Sequence, residues 1–339
     1  VLTDKEYNLD KMPLILNNGL PSREEQPSPL LPIVQTVPTD NPYLTAATSE
    51  NTRRAYQADI RHFEKWGGKL PASKETVLHY LQAFAAQLNS RTLARRLTAL
   101  KNWHIYQGFS DPTQHPAIGK TLTGIMRTHG KPKEKAPPLL PEHLLQMVTH
   151  LNSEQTLRAY RDNALLQLAF FGAFRRSEII AICCEHIVWQ EQGIDILIPH
   201  SKTDQTNQGL YCAIPYGKQL LCPVQALKHW LEQANITKGP IFRRLYRDDS
   251  LAQTALTALS VSHILKRRAQ QAKIPQAEQF SSHSLRRGLA TAASRDGSSL
   301  PAIMRQGRWK HVNTVMEYID AVQRFEENAA ANVLENISN

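Results

Sequence analysis

The stretch GRWKHVNTVMEYIDAV, residues 307–322, carries a tyrosine whose hydroxyl could act as a nucleophile. Apolar residues recur at helical spacing at Val315, Ile319 and Val322, which predicts an amphipathic helix that includes Tyr318. A tyrosine hydroxyl can attack a phosphorus atom and form a phosphotyrosine ester. Amphipathic helices also carry half-buried tyrosines that only pack, so the stretch alone leaves both interpretations open.

Three other short stretches carry side chains suited to phosphate chemistry. Arginine binds phosphate oxygens through a planar, multidentate guanidinium group. The stretches are GAFRRSEII with Arg175 and Glu178, HSKTD with Lys202, and HSLRRG with His283 and Arg286. Each has a simpler explanation, namely a surface ion pair within the first stretch, a solvated lysine in the second and a helix-capping histidine in the third. Their order and spacing therefore matter more than any one of them.

That order resembles the tyrosine recombinase family, whose members are also called phage-type integrases. In the family an arginine is followed by a lysine, a His-x-x-Arg box, a histidine or tryptophan, and a tyrosine. The three stretches match in that order, and Trp309 stands nine residues before Tyr318, which is the family's interval. Tryptophan in place of the usual histidine resembles the Cre branch.

The resemblance implies a site-specific DNA recombinase that cuts and rejoins strands through a covalent 3′-phosphotyrosine intermediate and a Holliday junction. Tyr318 is the implied nucleophile, and Arg175 and Arg286 are the implied clamp on the non-bridging phosphate oxygens. The ester keeps the energy of the cut bond, so rejoining needs no ATP. Guanidinium charge replaces a metal ion, so neither a metal nor a cofactor is expected. Arg287 is predicted to point about a hundred degrees away from Arg286 on the helix.

Four further residues complete the implied active site. Lys202 is the expected general acid for the leaving 5′-oxygen, and His283 is expected to assist removal of the tyrosine proton. Trp309 keeps one N–H donor but cannot act as a base, so it is expected to hydrogen-bond the scissile phosphate or to pack the site shut. Glu178 is expected to orient Arg175 or His283.

Basic charge is concentrated in one part of the chain. The whole chain has 339 residues and a net charge of +10. Residues 42–136 carry 15 basic and 6 acidic side chains, whereas residues 1–41 carry 3 basic and 6 acidic ones. Such a segment favours a polyanion as partner, above all nucleic acid, although a solvated basic face would give the same count.

The elements that must position the candidate residues form two predicted domains. The predicted order is a proline-rich arm over 1–42, a helical DNA-binding domain over 43–128, a linker over 129–138 and a catalytic domain over 139–339. The catalytic domain is predicted to be mostly helical, with strands at Ile194–Pro199 and Leu210–Pro215 around a polar loop. The predicted fold class is therefore mainly α with a small antiparallel β-sheet.

The predicted DNA-binding domain presents basic side chains on its helices. Its first helix is expected to be capped by Thr48 or Ser49, and its third helix to have Ser90 as N-cap. In the third helix, the residues predicted to face inward are Leu93, Leu97 and Leu100. Residues one turn apart share a helix face that suits a major groove. The candidate DNA contacts here are Arg53, Arg54, Arg91 and Arg95.

Basic side chains also cluster twice in the catalytic domain. The candidate DNA contacts there are Arg243, Arg244, Lys266, Arg267 and Arg268. Most are expected to touch the DNA backbone and to set position rather than to read bases. A charged surface turn over 243–247 is an equally good interpretation of the first cluster.

Apolar residues continue at helical spacing beyond the tyrosine. They include Val322, Phe325, Val333 and Ile337. A helix with such a face must bury it, either on its own domain or on a partner. The resemblance implies that it docks on a neighbouring protomer, giving a homotetramer on double-stranded DNA with an inverted-repeat site.

Two other functions remain compatible with the sequence. A type IB topoisomerase uses the same phosphotyrosine chemistry without needing a specific site, and a non-catalytic DNA-binding regulator could retain the scaffold. Apolar runs are too short for a membrane span, and the four cysteines form no CxxC pair. We therefore expect a cytoplasmic, nucleoid-associated protein with reduced thiols.

Overall fold

The computed structural model of the chain describes residues 47–132, 135–199 and 209–319, together with residues 330, 333, 334 and 337. The chain divides into two compact units, Val1–Lys133 and Glu134–Asn339, which we call unit 1 and unit 2. The division lies inside the segment predicted as a linker. Four predictions concern segments or residues outside the described ones, namely the arm over 1–42, Lys202, Val322 and Phe325.

The described part of unit 1 consists mainly of four helices. They are α1 (Glu50–Trp66), α2 (Lys74–Phe84), α3 (Ser90–Tyr106) and α4 (Pro116–His129). Helix α1 is capped by Ser49, whose hydroxyl accepts a hydrogen bond from the Thr52 amide at 3.3 Å, as one of the two predicted caps. The prediction that Ser90 caps α3 is wrong. Ser90 is already the first helical residue, and Asn89 caps the helix by accepting from the Arg91 amide at 2.9 Å.

The core of unit 1 forms where the apolar faces of these helices meet. The predicted inward leucines of α3 are confirmed, since Leu93, Leu97 and Leu100 are all buried. Tyr80 of α2 is fully buried and packs edge-on against Phe63 of α1, with ring centroids 5.0 Å apart. This packing holds α2 against α1 within unit 1.

Unit 2 is mostly helical with two small antiparallel sheets. Its helices are α5 (Pro141–Glu154), α6 (Leu157–Phe171), α7 (Arg176–Ala181), α8 (Pro223–Gln233), α9 (Ala258–Gln271), α10 (Ser282–Arg295), α11 (Leu300–Gly307) and α12 (Val312–Ile319). Its strands are β1 (Ile187–Gln190), β2 (Gly193–Ile198), β3 (Leu210–Pro215), β4 (Arg243–Leu245) and β5 (Leu251–Ala255). The fold class predicted from the sequence is confirmed.

Both predicted strands are present as β2 and β3, with Ile196 opposite Cys212. The sequence analysis missed β1, which completes a three-stranded sheet in the order β1-β2-β3, and it missed the β4–β5 pair. Strand β1 exposes three of its four residues and β4 has only three residues, so neither shows a clear apolar alternation.

Two apolar clusters hold unit 2 together. The larger one surrounds α6, whose residues are mostly buried, and includes Trp230 of α8, whose indole N–H donates to the Ile241 carbonyl at 2.7 Å. The smaller one joins α10, α11 and α12 through Ala290, Ile303, Trp309 and Val315. The second cluster therefore brings the C-terminal helices of the chain against α10. No described helix is long and apolar enough to cross a membrane.

Candidate active site

Helix α10 positions the His-x-x-Arg pair. Ser281 caps it by accepting from the His283 amide at 3.3 Å, while the Ser284 hydroxyl accepts from the Ser281 amide at 3.0 Å. His283 consequently lies in the first helical turn, where it is exposed, and Arg286 lies one turn later on the same face. Arg286 is only 3% exposed.

The Arg286 guanidinium has an unused donor. Its Nη1 donates to the Ala173 carbonyl, and its Cζ lies 4.2 Å from the centroid of the Trp309 ring. Its Nη2 is buried and has no hydrogen-bond partner among the described residues. Burial, followed by the charges of Arg175 and Arg308, lowers the pKa of this guanidinium to about 9. A bound oxyanion would supply both the missing acceptor and the missing negative charge.

Arg175 is held at the N-terminus of α7 by Glu178. The Arg175 amide donates to Glu178 Oε2 at 3.0 Å, and Arg175 Nη1 donates to Glu178 Oε1 at 2.5 Å. Glu178 is buried, and its burial by itself raises the pKa of the carboxyl group, but the charges of Arg308 and Arg175 lower that pKa overall. The carboxylate is therefore ionised and orients Arg175, one of the two partners expected for it.

Arg308 also reaches this site, a position that was not predicted from the sequence. It follows α11 with a φ of 55°, a left-handed conformation more usual for glycine or asparagine. Its Nη2 donates to the Gly172 carbonyl at 3.0 Å and lies 3.3 Å from Glu178 Oε2. The only signal in the sequence was an arginine between Gly307 and Trp309, and the turn that directs it inward is a tertiary feature.

Trp309 and Tyr318 face each other across the second apolar cluster. Their ring centroids are 6.0 Å apart, with an interplanar angle of 62°. A Cβ on Gly307 would lie 1.7 Å from the Trp309 ring, so only glycine lets the indole fold back against α11. Val315 and Ile319 are buried while Tyr318 is half-buried. This packing leaves the tyrosine ring at the edge of the cluster rather than in its centre.

Five of the predicted catalytic residues therefore share one region of unit 2. They are Arg175, Glu178, Arg286, Trp309 and Tyr318. Three guanidinium groups in this region, including that of Arg308, face one carboxylate. The region carries excess positive charge next to a tyrosine, an arrangement that can bind a phosphate and offer it a hydroxyl nucleophile.

Comparison with known proteins places this geometry in a family. A profile of the phage integrase family matches residues 138–324, and a profile of the phage integrase N-terminal SAM-like domain matches residues 43–107. The chain belongs to the phage integrase family, the tyrosine recombinases. It is 38% identical over 295 residues to an integrase/recombinase XerD homolog of Selenomonas ruminantium, covering 84% of this chain and 86% of that protein. This relative supports assignment as a tyrosine site-specific recombinase.

Other recombinases are more distant in sequence. The Cre recombinase of Escherichia phage P1 is 26% identical over 272 residues, covering 75% of this chain and 77% of Cre. Among solved structures, XerH bound to a palindromic difH substrate matches with a TM-score of 0.60 at 17% identity, covering 84% of this chain and 80% of XerH. A lambda integrase dimer bound to a COC′ core site matches with a TM-score of 0.55 at 16% identity, covering 82% and 74%. At these identities the structures establish the fold alone.

In unit 1 of this tyrosine recombinase, the four candidate DNA contacts differ in how they are held. Arg54 pairs with Glu50 at 2.6 Å and is exposed, and Arg91 is exposed as well. Arg95 makes two 2.8 Å hydrogen bonds to buried Asp59, although half of its side chain remains exposed. Arg53 is half-buried and donates to the Thr48 carbonyl.

In unit 2 the structure assigns two of the candidate DNA contacts to the interior. Arg268 is 2% exposed and donates to Asp162 at 2.7 Å and to Glu154 at 2.6 Å. Arg243 is 7% exposed and donates to the Pro240 carbonyl and to Gln253. Because protein acceptors occupy both guanidinium groups, we expect these two arginines to stabilise the fold rather than to contact DNA.

The remaining candidates of unit 2 are accessible. Arg244 is exposed, with its Cζ 5.0 Å from the Tyr246 ring, and Lys266 is half-buried. Arg267 pairs with Asp162 at 2.8 Å while 43% of its side chain stays exposed. Among the residues described by the structure, no group of three or more His, Cys, Asp or Glu side chains could hold a metal ion.

Proposed function

We propose that the chain recombines DNA at specific sites through a covalent bond between Tyr318 and a 3′-phosphate. One observation carries this proposal. Arg286 is buried, its Nη2 has no hydrogen-bond partner in the described part of the chain, and it packs on Trp309, which in turn packs on Tyr318. A cationic donor that finds no acceptor among the described residues, next to a half-buried tyrosine, fits a phosphodiester as its ligand.

In the proposed reaction the Tyr318 oxygen attacks the scissile phosphorus and loses its proton with the assistance of His283. The bond between phosphorus and the 5′-oxygen breaks, and Lys202 protonates that oxygen to give a free 5′-hydroxyl. The products are a 3′-phosphotyrosine ester and a nicked strand. A 5′-hydroxyl from another strand then attacks the ester in the reverse sense. One pair of such exchanges forms a Holliday junction and a second pair resolves it, without ATP.

The arginines supply the electrostatic part of this catalysis. Negative charge grows on the non-bridging oxygens during attack, and guanidinium groups fixed in advance stabilise it at little reorganisation cost. Glu178 holds Arg175 by two hydrogen bonds and so fixes its orientation. We assign Arg175 and Arg286 to the phosphate, and Arg308 to Glu178, which it contacts at 3.3 Å. In this scheme no step is assigned to a metal ion or cofactor.

The proposed partner is double-stranded DNA with an inverted-repeat site, and the proposed assembly is a homotetramer. Solved recombinases with this fold include XerH bound to difH and lambda integrase bound to its core site. The accessible basic residues that we propose as backbone contacts are Arg54, Arg91, Arg244 and Lys266. Val333 and Ile337 are helical and exposed, as a segment that docks on a neighbouring protomer requires. Such a protein would be nucleoid-associated.

Trapping the intermediate tests the proposal. The binding site is first selected from random duplexes with the full-length Tyr318→Phe protein, which keeps the ring but lacks the hydroxyl. A nicked duplex of the selected site then releases a short 5′-hydroxyl fragment on cleavage, which prevents rejoining. Wild-type protein should form a covalent adduct that survives denaturation, and Tyr318→Phe should form none. Tyr211→Phe, at an exposed tyrosine of β3, is the matched control and should form the adduct normally.

Three results would contradict the proposal. An adduct formed by Tyr318→Phe would assign the nucleophile elsewhere. Relaxation of a supercoiled plasmid that lacks the selected site, at the rate seen with the site, would indicate a type IB topoisomerase. No adduct with either protein on a tightly bound site would indicate a regulator.

A further inference from the structure

Arg287 contacts the aromatic ring of Tyr318, the candidate nucleophile. It follows Arg286 on α10 and is 7% exposed. Its Cζ lies 5.2 Å from the centroid of the Tyr318 ring. The hundred-degree turn between neighbouring helix residues thus directs Arg287 toward the tyrosine, whereas Arg286 is directed toward Trp309. No role in phosphate binding is assigned to Arg287.

The segment over residues 135–139, which we call the strap, holds this arginine in place. Arg287 Nη1 donates to the Ala136 carbonyl of the strap. The Leu139 amide donates to the Ser284 carbonyl of α10 at 2.9 Å. At the other end of the strap, Lys135 Nζ lies 2.6 Å from Oε2 of Glu317, which is the residue that precedes Tyr318. The strap therefore contacts both helices that carry the arginine and the tyrosine.

A glycine brings the strap this close to α10. A Cβ on Gly288, the residue after Arg287, would lie 1.9 Å from the Leu139 carbonyl oxygen. Real side chains do not tolerate that distance from a fixed backbone atom, so any other residue would displace the strap or the helix. Leu139 is itself fully buried, which anchors the C-terminal end of the strap. Three consecutive residues therefore have three different roles. Arg286 is assigned to the phosphate, Arg287 contacts Tyr318, and Gly288 leaves room for the strap.

We propose that Arg287 is a positioning residue for Tyr318 and that the strap fixes Arg287 in that position. This inference rests on the proposed function of Tyr318. A cation over an aromatic face favours one orientation of the ring. Its attraction also grows when the phenol loses its proton, because the oxygen then carries negative charge. Arg287 acts through the tyrosine and makes no contact with the phosphate in this proposal.

Two substitutions separate charge from hydrogen bonding at this position. Arg287→Lys keeps the positive charge, and Arg287→Gln keeps an N–H donor for the Ala136 carbonyl but loses the charge. The measurement is the single-turnover rate of adduct formation on the nicked duplex, with the affinity for the intact duplex measured in parallel. Arg295→Met, at an exposed position in the last turn of the same helix, is the matched control.

We expect Arg287→Gln to slow adduct formation on the order of tenfold, since a cation–π contact of this kind is worth about 1 kcal/mol or more. Arg287→Lys should recover at least part of that loss, and DNA affinity should stay within about twofold for both variants. Lys135→Ala, which frees the N-terminal end of the strap from Glu317, should give a smaller slowing of the same step. The control should cleave at the wild-type rate.

Three outcomes would overturn the inference. The first is that the proteins with arginine, lysine or glutamine at this position cleave at equal rates. The second is that Arg287→Gln loses DNA affinity but keeps its cleavage rate. The third is that Arg287→Lys cleaves no faster than Arg287→Gln. If Arg287→Gln does not fold, Arg287→Lys decides alone, and a folded lysine variant slower than the Arg295→Met control by a hundredfold would also refute a role for charge. An adduct that forms with wild type and not with Tyr318→Phe, alongside unaffected Arg287 variants, would remove only this inference and leave the proposed function standing.

Discussion

Arg286 and Arg268 are equally buried but lie in opposite electrostatic surroundings. Arg286 is 3% exposed, and no described carboxylate lies within salt-bridge distance of its guanidinium. Arg268 is 2% exposed and is paired with Asp162 and Glu154. Replacing each by methionine, which has a similar shape without charge, should therefore change stability in opposite directions. This contrast follows if Arg286 is kept for an anionic ligand and Arg268 for the fold.

The magnitude follows from the pKa of Arg286, which burial lowers from the usual value of a guanidinium to about 9. At about 1.4 kcal/mol per pKa unit, the charge costs the folded protein about 5 kcal/mol. Methionine removes that cost but also removes the charged hydrogen bond to Ala173, worth about 2 kcal/mol, and the contact with Trp309, worth about 1–2 kcal/mol. The net expectation for Arg286→Met is a stabilisation of about 1–2 kcal/mol.

In Arg268→Met, Asp162 and Glu154 each lose a partner. Asp162 keeps Arg161 and Arg267 as partners. The cost should therefore lie at the lower end of the range for a broken buried pair, about 3 kcal/mol.

Differential scanning calorimetry of the full chain at pH 7.5 measures both changes. For a unit of this size, about 1 kcal/mol corresponds to a Tm shift of about 2–4 °C. We expect Arg286→Met to raise the Tm by at least that amount and Arg268→Met to lower it by about 10 °C. The folded-state pKa of Arg286 is below the unfolded value, so the cost is complete below about pH 9 and decreases as the pH rises above that value. The advantage of Arg286→Met should shrink accordingly at pH 9.5. A fall in Tm as large as that of Arg268→Met would refute the reasoning.

Two further predictions concern the anion site and the packing of α10. Inorganic phosphate should stabilise the wild-type protein by about 1.4 kcal/mol at ten times its dissociation constant. A calorimetric scan should show no such effect for Arg286→Met. Equal effects on both proteins would place the anion elsewhere. Gly288→Ala should lower stability by about 1–3 kcal/mol through the clash with Leu139. Gly124→Ala, at a helical position with open space around it, should instead raise stability by up to about 1 kcal/mol. A denaturant titration measures both variants. Changes of the same sign would contradict the close packing of Gly288 against Leu139.

Features set by local sequence were predictable. Ser49 caps α1 because its hydroxyl reaches an amide three residues away, and the leucines of α3 face inward because their spacing follows the helix period. The candidate site residues were found through their order along the chain. Their spatial proximity depends on packing between α7, α10, α11 and α12, which spacing alone does not determine.

Features set by distant partners were not predictable. Arg268 was taken for a DNA contact because it lies in a basic run, but its partner Asp162 stands 106 residues away. Arg308 enters the site through a left-handed turn that its residue type does not favour. Arg287 was expected to point about a hundred degrees away from Arg286, and α12 packs on that side and brings Tyr318 to it. In each case a tertiary contact decides the role of the arginine.

The central claim is that the Tyr318 oxygen becomes bonded to a DNA phosphate, and mass spectrometry of the trapped adduct tests it most directly. Proteolysis of the adduct formed on the nicked duplex, followed by fragmentation of the peptide that carries nucleotides, locates the bond on both molecules. We expect a single modified residue, Tyr318, linked to a 3′-phosphate. A modified residue other than Tyr318, or a link to a 5′-phosphate, would contradict the account.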